Sequence, residues 1–319
     1  MLVPLAALFA LAVGGTAIAP HDLFATLLHP GVPSDTATIV WSLRLPRIAI
    51  AATVGASLAL AGTLMQALLR NPLIDPYITG VSSGAGAAIA ISVALGVALA
   101  AVPAIGFVAG LATAVVVAVL ARRGSGLDAE RLILAGVSIS ALMSAFIAMA
   151  LTRLAAGNAA AQIIAWLAGS LGGRGWIDLA AAAPYAVAGA ILGIATIPAL
   201  NVVRVGERRA VTLGVDIGRL QWILLAAAAL LTAAAVALSG LVGFVGLIVP
   251  HLARRLIGAD LRFGVPAALA LGAALVIVAD AASRALFAPL EIPLGVLLAF
   301  IGVPVFLYLY LRGSARTYA

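Results

Sequence analysis

The sequence predicts an all-α, polytopic membrane protein with about ten transmembrane helices and both termini cytoplasmic. Of its 319 residues 65% are hydrophobic and 9% charged, with a mean hydropathy of +1.24, more apolar surface than a water-soluble core of this size hides. Uncharged runs at 48–69, 132–152, 179–203 and 292–311 each reach the roughly 20 residues a helix needs to cross about 30 Å of hydrocarbon. The alternating pattern of a membrane barrel is absent.

The elements follow in chain order. Residues 1–20 are apolar and end in the AIA of Ala17 to Ala19. No positive stretch precedes them and Pro20 would follow the cut, so a retained first span is expected rather than a cleaved leader. Residues 48–69 form the second span. Between Tyr77 and Ala121 no residue carries a formal charge, and Pro103 with Gly96 and Gly106 divides that stretch into two more. The fifth is 132–152. Segment 154–173 is uncharged but carries Asn158, Gln162 and several glycines; were it to cross, nine arginines (204, 208, 209, 219, 254, 255, 262, 312 and 316) would face outward, against the positive-inside bias. It is expected as a short outer helix or re-entrant element. Then come 179–203, one full and one short span within Leu220 to Ala253, 264–287 and 292–311. A short span is tolerable only where protein surrounds its ends. Thirteen arginines then lie inside, and Arg44, Arg47, Arg153, Arg174 and Arg284 outside. A single transmembrane domain fills 1–319.

Composition also excludes chemistry. All eighteen basic residues are arginine and there is no cysteine, so a GxxxxGK[ST] phosphate loop, a Schiff-base lysine, thiolate catalysis and disulfides are ruled out. If ATP is used, another chain binds it. The three histidines are scattered, with no HExxH and no paired carboxylates within a span, which leaves an intramembrane enzyme without a constellation. His251, between Pro250 and the Arg254–Arg255 pair, is expected to make a structural hydrogen bond. Glu291, before Pro293, reads as a carboxylate complementing a helix start. Gly80/Gly84, Gly106/Gly110 and Gly189/Gly193 are spaced for close helix approach. The net charge of +7 is spread over loops and speaks of topology, not of nucleic acid.

Three separated motifs carry a resemblance: LRLPR (43–47), GTLMQALLRNPLIDP (62–76) and GFVGLIVPHLAR (243–254), the last within the run Ser239–Arg255. GERRAVTLGV (206–215), ILAGVSIS (133–140) and EIPLGVLLAFIGVPVFLYL (291–309) agree with it. Over residues 40–312 the chain resembles the permease subunits of binding-protein-dependent ABC importers for vitamin B12, iron-siderophore complexes and haem. The resemblance implies ten helices per subunit, a homodimer, two ATP-binding cassette subunits inside that hold ATP and Mg, and one soluble solute-binding protein outside. It implies no cofactor on this chain. The cargo it implies is a ferric siderophore, haem or cobalamin, with family breadth favouring iron complexes.

The resemblance also implies roles. Arg44, Arg47 and Arg284 receive acidic side chains of the binding protein; their other reading is snorkelling to headgroups, or, for Arg284, pairing with Asp280 one turn away. Residues 204–219 form two short coupling helices against the ATPase, carried by Gly206, Glu207, Arg208, Arg209, Leu213 and Gly214, although a solvated loop would bear the same charges. Asn71 and Leu73, in a proline-rich turn, with Ala129 and Glu130 narrow an inner gate; at Glu130 the family leads one to expect a small hydroxyl residue. Ser140 and Ser144 share a helix face that lines the path, unless they only back-bond. The competing class is an ion-coupled secondary transporter, for which Asp280 is the sole acid inside an expected span.

Overall fold

The computed structural model of the chain describes all residues except 15–17, 30–33, 125, 155–156, 289 and 315–319; Ala17 and Arg316 therefore lie outside the described residues. Helix α1, Leu2–Ala12, stops at the extended Val13, and α2, Pro20–Leu28, opens on a proline whose fixed φ suits a first turn. This corrects the bounds of the first expected span, 1–20, whose helix is the 11 residues of α1, about 16 Å long. In contrast, α3, Asp35–Leu68, runs on for 34 residues. Ser34 caps it, Oγ accepting from Ala37 N at 3.0 Å, and a π turn over Ile39–Arg44 precedes Pro46 and absorbs the bond a proline cannot donate.

Helices α4, Val81–Ala94, and α5, Val102–Leu120, divide the uncharged stretch at 95–101, where Gly96 adopts φ 74°; Pro103 opens α5. A pair of two-residue strands, Arg122–Arg123 (β1) and Gly126–Leu127 (β2), leads into α6, Ala129–Arg153, whose first N–H groups are capped by Asp128. Helix α7, Ala159–Leu167, has nine residues, too few to cross. Helix α8, Trp176–Ala195, ends at Thr196, and α9, Ile197–Val205, starts over Pro198. The single span expected at 179–203 is thus two helices, because Pro198 cannot donate the bond that would continue the first.

The chain goes on through α10, Glu207–Thr212, α11, Ile217–Ser239, α12, Val245–Ile257, α13, Leu261–Ala285, and α14, Leu294–Ser314. Among the described residues six helices are long and apolar enough to cross a membrane (α3, α5, α6, α8, α11 and α13), while α1, α4 and α14 are apolar and shorter.

The core lies along α3, which packs on α11, α12 and α13. Glycines permit this. A Cβ at Gly55 would overlap the carbonyl of Gly272 in α13 and one at Gly272 would overlap that of Gly55; a Cβ at Gly62 would overlap the carbonyl of Gly246 in α12. The glycine spacings in the sequence mark further contacts: a Cβ at Gly110 would come within 2.9 Å of Val81 O, at Gly189 within 2.9 Å of Leu231, and at Gly193 within 2.7 Å of Leu64. Between α11 and α12 residues 240–244 are unwound, with Gly240 and Phe244 at positive φ. The freed backbone of Val242 is satisfied by Tyr77, whose hydroxyl donates to Val242 O (2.9 Å) and accepts from Val242 N (3.2 Å).

Overpacking a glycine seam costs about 1–3 kcal/mol. Gly62→Val should lower the thermal midpoint of the detergent-solubilised chain clearly. Gly264→Ala, whose added Cβ meets nothing within 4 Å outside its own helix, should not lower it.

Candidate functional site

At one end of the bundle the three arginines singled out in the sequence line one cavity, two of them paired with Asp280. Arg47 donates through Nε to both Asp280 oxygens (3.0 and 3.1 Å), and its Nη2 lies 2.9 Å from Asp280 Oδ1. Arg284, one helical turn from Asp280, adds Nε to Oδ2 at 3.2 Å. Asp280 is 1% exposed, so two guanidiniums compensate one buried carboxylate. Arg47 also forks onto Glu291, Nη1 to Oε1 at 3.2 Å and Nη2 to Oε2 at 3.0 Å. Glu291 therefore serves as the second acid of Arg47, a correction to its expected place at a helix start; α14 begins only at Leu294.

Arg44, in the π turn of α3, is 5% exposed and donates to Leu11 O; Arg284 is 7% exposed. Gly14 lies over both, and a Cβ there would come within 2.9 Å of Arg284 Nη1 and 3.2 Å of Arg44 Nη2. Beside the network is a cavity of about 450 Å³ lined by Ser42, Arg44, Arg47, Arg174, Arg284 and Glu291, among others. Trp176 Nε1 donates to Trp41 O (3.2 Å), tying α8 to the π turn.

The segment 204–219 lies with the other cluster of arginines. It forms one short helix, α10, in place of the two expected, because Val215 and Asp216 lead directly into α11. Gly206 (φ 151°) separates α9 from α10, and Gly214 (φ 81°) closes α10. Glu207, Arg208, Arg209 and Leu213 are exposed, Leu213 at 72%. Glu207 Oε1 pairs with Arg70 Nη2 at 3.0 Å, linking α10 to the end of α3.

Asn71 Oδ1 accepts from Leu73 N (2.9 Å), an Asx turn that leaves Leu73 44% exposed. Ala129 and Glu130 are exposed in the first turn of α6. Ser140 meets Ser83 of α4, the two Oγ atoms 3.1 Å apart, while Ser144 is exposed and bonds back to Ser140 O (2.9 Å). The apolar window of α6 is only 11% buried, against 78% for α3. His251 does not make the expected hydrogen bond: among the described residues its buried Nε2 has no partner.

A contact between distant residues went unnoticed in the sequence. Gln66 and Arg254, 188 residues apart, are joined by Arg254 Nη2 donating to Gln66 Oε1 at 2.6 Å. Asp75, in the connection between α3 and α4, accepts from Tyr77 N at 2.9 Å, and burial pushes its carboxyl up to about 6 against that hydrogen bond.

The FecCD transport family model matches residues 2–312. The chain is 38% identical to the hemin transport system permease protein HmuU of Yersinia pestis, over 95% of this chain and 92% of that protein. It is 41% identical to the cobalamin import system permease protein BtuC of Halobacterium salinarum, over 90% and 77%, and 36% identical to the Fe(3+) dicitrate transport system permease protein FecC of Escherichia coli, over 91% and 88%. A solved metal-chelate type ABC transporter in an inward-facing conformation superposes with a TM-score of 0.87 at 30% identity, covering 98% of this chain and 96% of that one.

Removing one partner of a buried ion pair costs about 3–5 kcal/mol, so Asp280→Asn should sharply lower the thermal midpoint and Glu291→Gln, at the 45%-exposed acid, much less. For Asp75 the folded carboxyl binds its proton more tightly than the unfolded one, so stability from this group is lost as pH rises from about 4 through 6. Asp75→Asn, which keeps the acceptor for Tyr77 N, should melt above the wild type at pH 8. The gap should close toward pH 4 in a pH series of melts.

Proposed function

The chain belongs to the FecCD transport family, and from that premise we propose that it is the membrane subunit of a type II ABC importer that moves a ferric siderophore, haem or cobalamin into the cytoplasm by ATP-driven alternating access. Its family relatives are ABC importer permeases of the metal-chelate type, and it is a multi-pass protein of a prokaryotic cell membrane. The observation that carries the reading is the full-length likeness to an inward-facing metal-chelate transporter, joined to a composition without lysine, which leaves ATP and Mg to separate ATP-binding cassette subunits.

In this reading one domain fills 1–319 and crosses the membrane ten times, by the six long helices together with α1, α4, α12 and α14, both termini inside. Segment 154–173 is an outer re-entrant element. Two copies face each other through the exposed side of α6, so that Ser140 and Ser144 line the path and Asn71, Leu73, Ala129 and Glu130 its inner gate. The exposed Leu213 and the basic face of α10 seat on the ATPase, and the glycines at 206 and 214 let α10 turn without bending α9 or α11. At the outer end, Glu291 occupies on Arg47 the place that an acid of the soluble binding protein takes on docking, while Arg44 and Arg284 steer the encounter through their field.

The ion-coupled alternative needs a carboxylate free to change partners within a span. Asp280 is engaged by two guanidiniums, which argues against it. In proteoliposomes holding this chain, its ATPase and its binding protein, uptake should require ATP. Leu213→Asp should lower binding-protein-stimulated hydrolysis about tenfold, the factor that ~1.4 kcal/mol of lost interface contact produces. Uptake on an ion gradient with no ATPase present would overturn the assignment.

A further inference from the structure

Next to α10 the ends of α3, α9 and α12 enclose a cavity of about 280 Å³, lined by Thr63, Gln66, Arg70, Pro72, Arg204 and Arg254, with Ala67 and Leu261. Three guanidiniums line it and no carboxylate does. Arg254 is held in place by Gln66, itself 3% exposed and fixed by Nε2 donating to the carbonyls of Ile74 (3.2 Å), Gly246 (3.2 Å) and Leu247 (3.3 Å). Arg204 donates to Ala259 O. The acids nearby are Glu207, paired with Arg70, and Asp260, whose Oδ1 accepts from Asn201 Nδ2 and Arg262 N.

Arg70 adds an independent observation. It stands at φ 51° where α3 closes, with Leu69 N bonded to Met65 O (3.0 Å) and Asn71 N to Gln66 O (3.2 Å). Glycine is the usual residue of such a closure, and a side chain there is strained. Glycine would relieve the strain and remove the third guanidinium.

We propose that this cavity binds a phosphate group, as the headgroup of an anionic phospholipid or as free phosphate. The guanidinium fork matches phosphate oxygens, and basic pockets between membrane helices take lipid headgroups. A phosphate on Arg70 competes with Glu207 for the ion pair that ties α10 to the span.

Native mass spectrometry of the delipidated full-length chain, titrated with phosphatidylglycerol, phosphatidylcholine and inorganic phosphate, tests this. Phosphatidylglycerol should bind at least about tenfold more tightly than phosphatidylcholine. Arg204→Gln and Arg254→Gln should each weaken it by roughly tenfold, the scale of one lost charge-assisted hydrogen bond. Glu207→Gln, which removes the competitor, should strengthen it, an effect a merely structural arginine cluster would not give. Displacement of the lipid by inorganic phosphate identifies free phosphate as the ligand; retention identifies the lipid. Should Arg254→Gln fail to fold, the exposed Arg204 carries the test. Wild-type phosphatidylglycerol binding in a folded Arg204→Gln chain, or no anion binding to the wild type, overturns the proposal.

Discussion

The close approach of α3 to α13 and α12 sets the rest of the molecule. Gly55 and Gly272 bring two backbones into contact with no side chain between them, and the helices run antiparallel from there. Eight residues back along α3 is Arg47; eight residues on along α13 is Asp280. Their ion pair is thus a readout of the register that the glycine contact fixes. The same logic holds at the other seam, where Gly62 meets Gly246 and Gln66, one turn further, reaches the backbone of α12 and Arg254.

This makes the buried charges easier to understand. An ion pair of this kind contributes little net stability, because desolvation offsets most of the attraction. It penalises every other register heavily, since a slip of one residue in either helix would leave a carboxylate or a guanidinium buried alone. Glycine seams by themselves are permissive, as smooth backbones can slide. Together, a contact without side chains and a pair that tolerates one alignment specify the packing of helices whose surfaces are otherwise nearly uniform in alanine, valine and leucine.

Long uncharged runs made most of the crossing helices legible in the sequence, since length and charge are local properties. The places where it misled are breaks written in one or two residues: the stop at Val13 and the restart over Pro198 both sit inside stretches that stay apolar throughout. The glycine spacings pointed correctly to close packing at Gly110, Gly189 and Gly193, but Gly55 and Gly272 have no periodic partner and gave no signal. Asp280 and Arg284 were readable as a pair because they lie four apart on one helix. Arg47 comes to the same point from 233 residues before Asp280 and 244 before Glu291, which no spacing rule reaches. The hydrogen bonds of Tyr77 to unwound Val242 were hidden for the same reason.

Burial is distributed unevenly along the chain, with α3 and α11 deep and α6 and α8 lying at the rim. Hydrogen-exchange behaviour follows from such a gradient, since amides open locally where few apolar contacts hold them and only globally where many do. In the chain by itself α3 and α11 are the helices held by the most burial, and α6 and α8 those held by the least. The chain buries itself most deeply along the helix where Gly55 meets Gly272, and the face around Ser144 is left for lipid or a second polypeptide to cover.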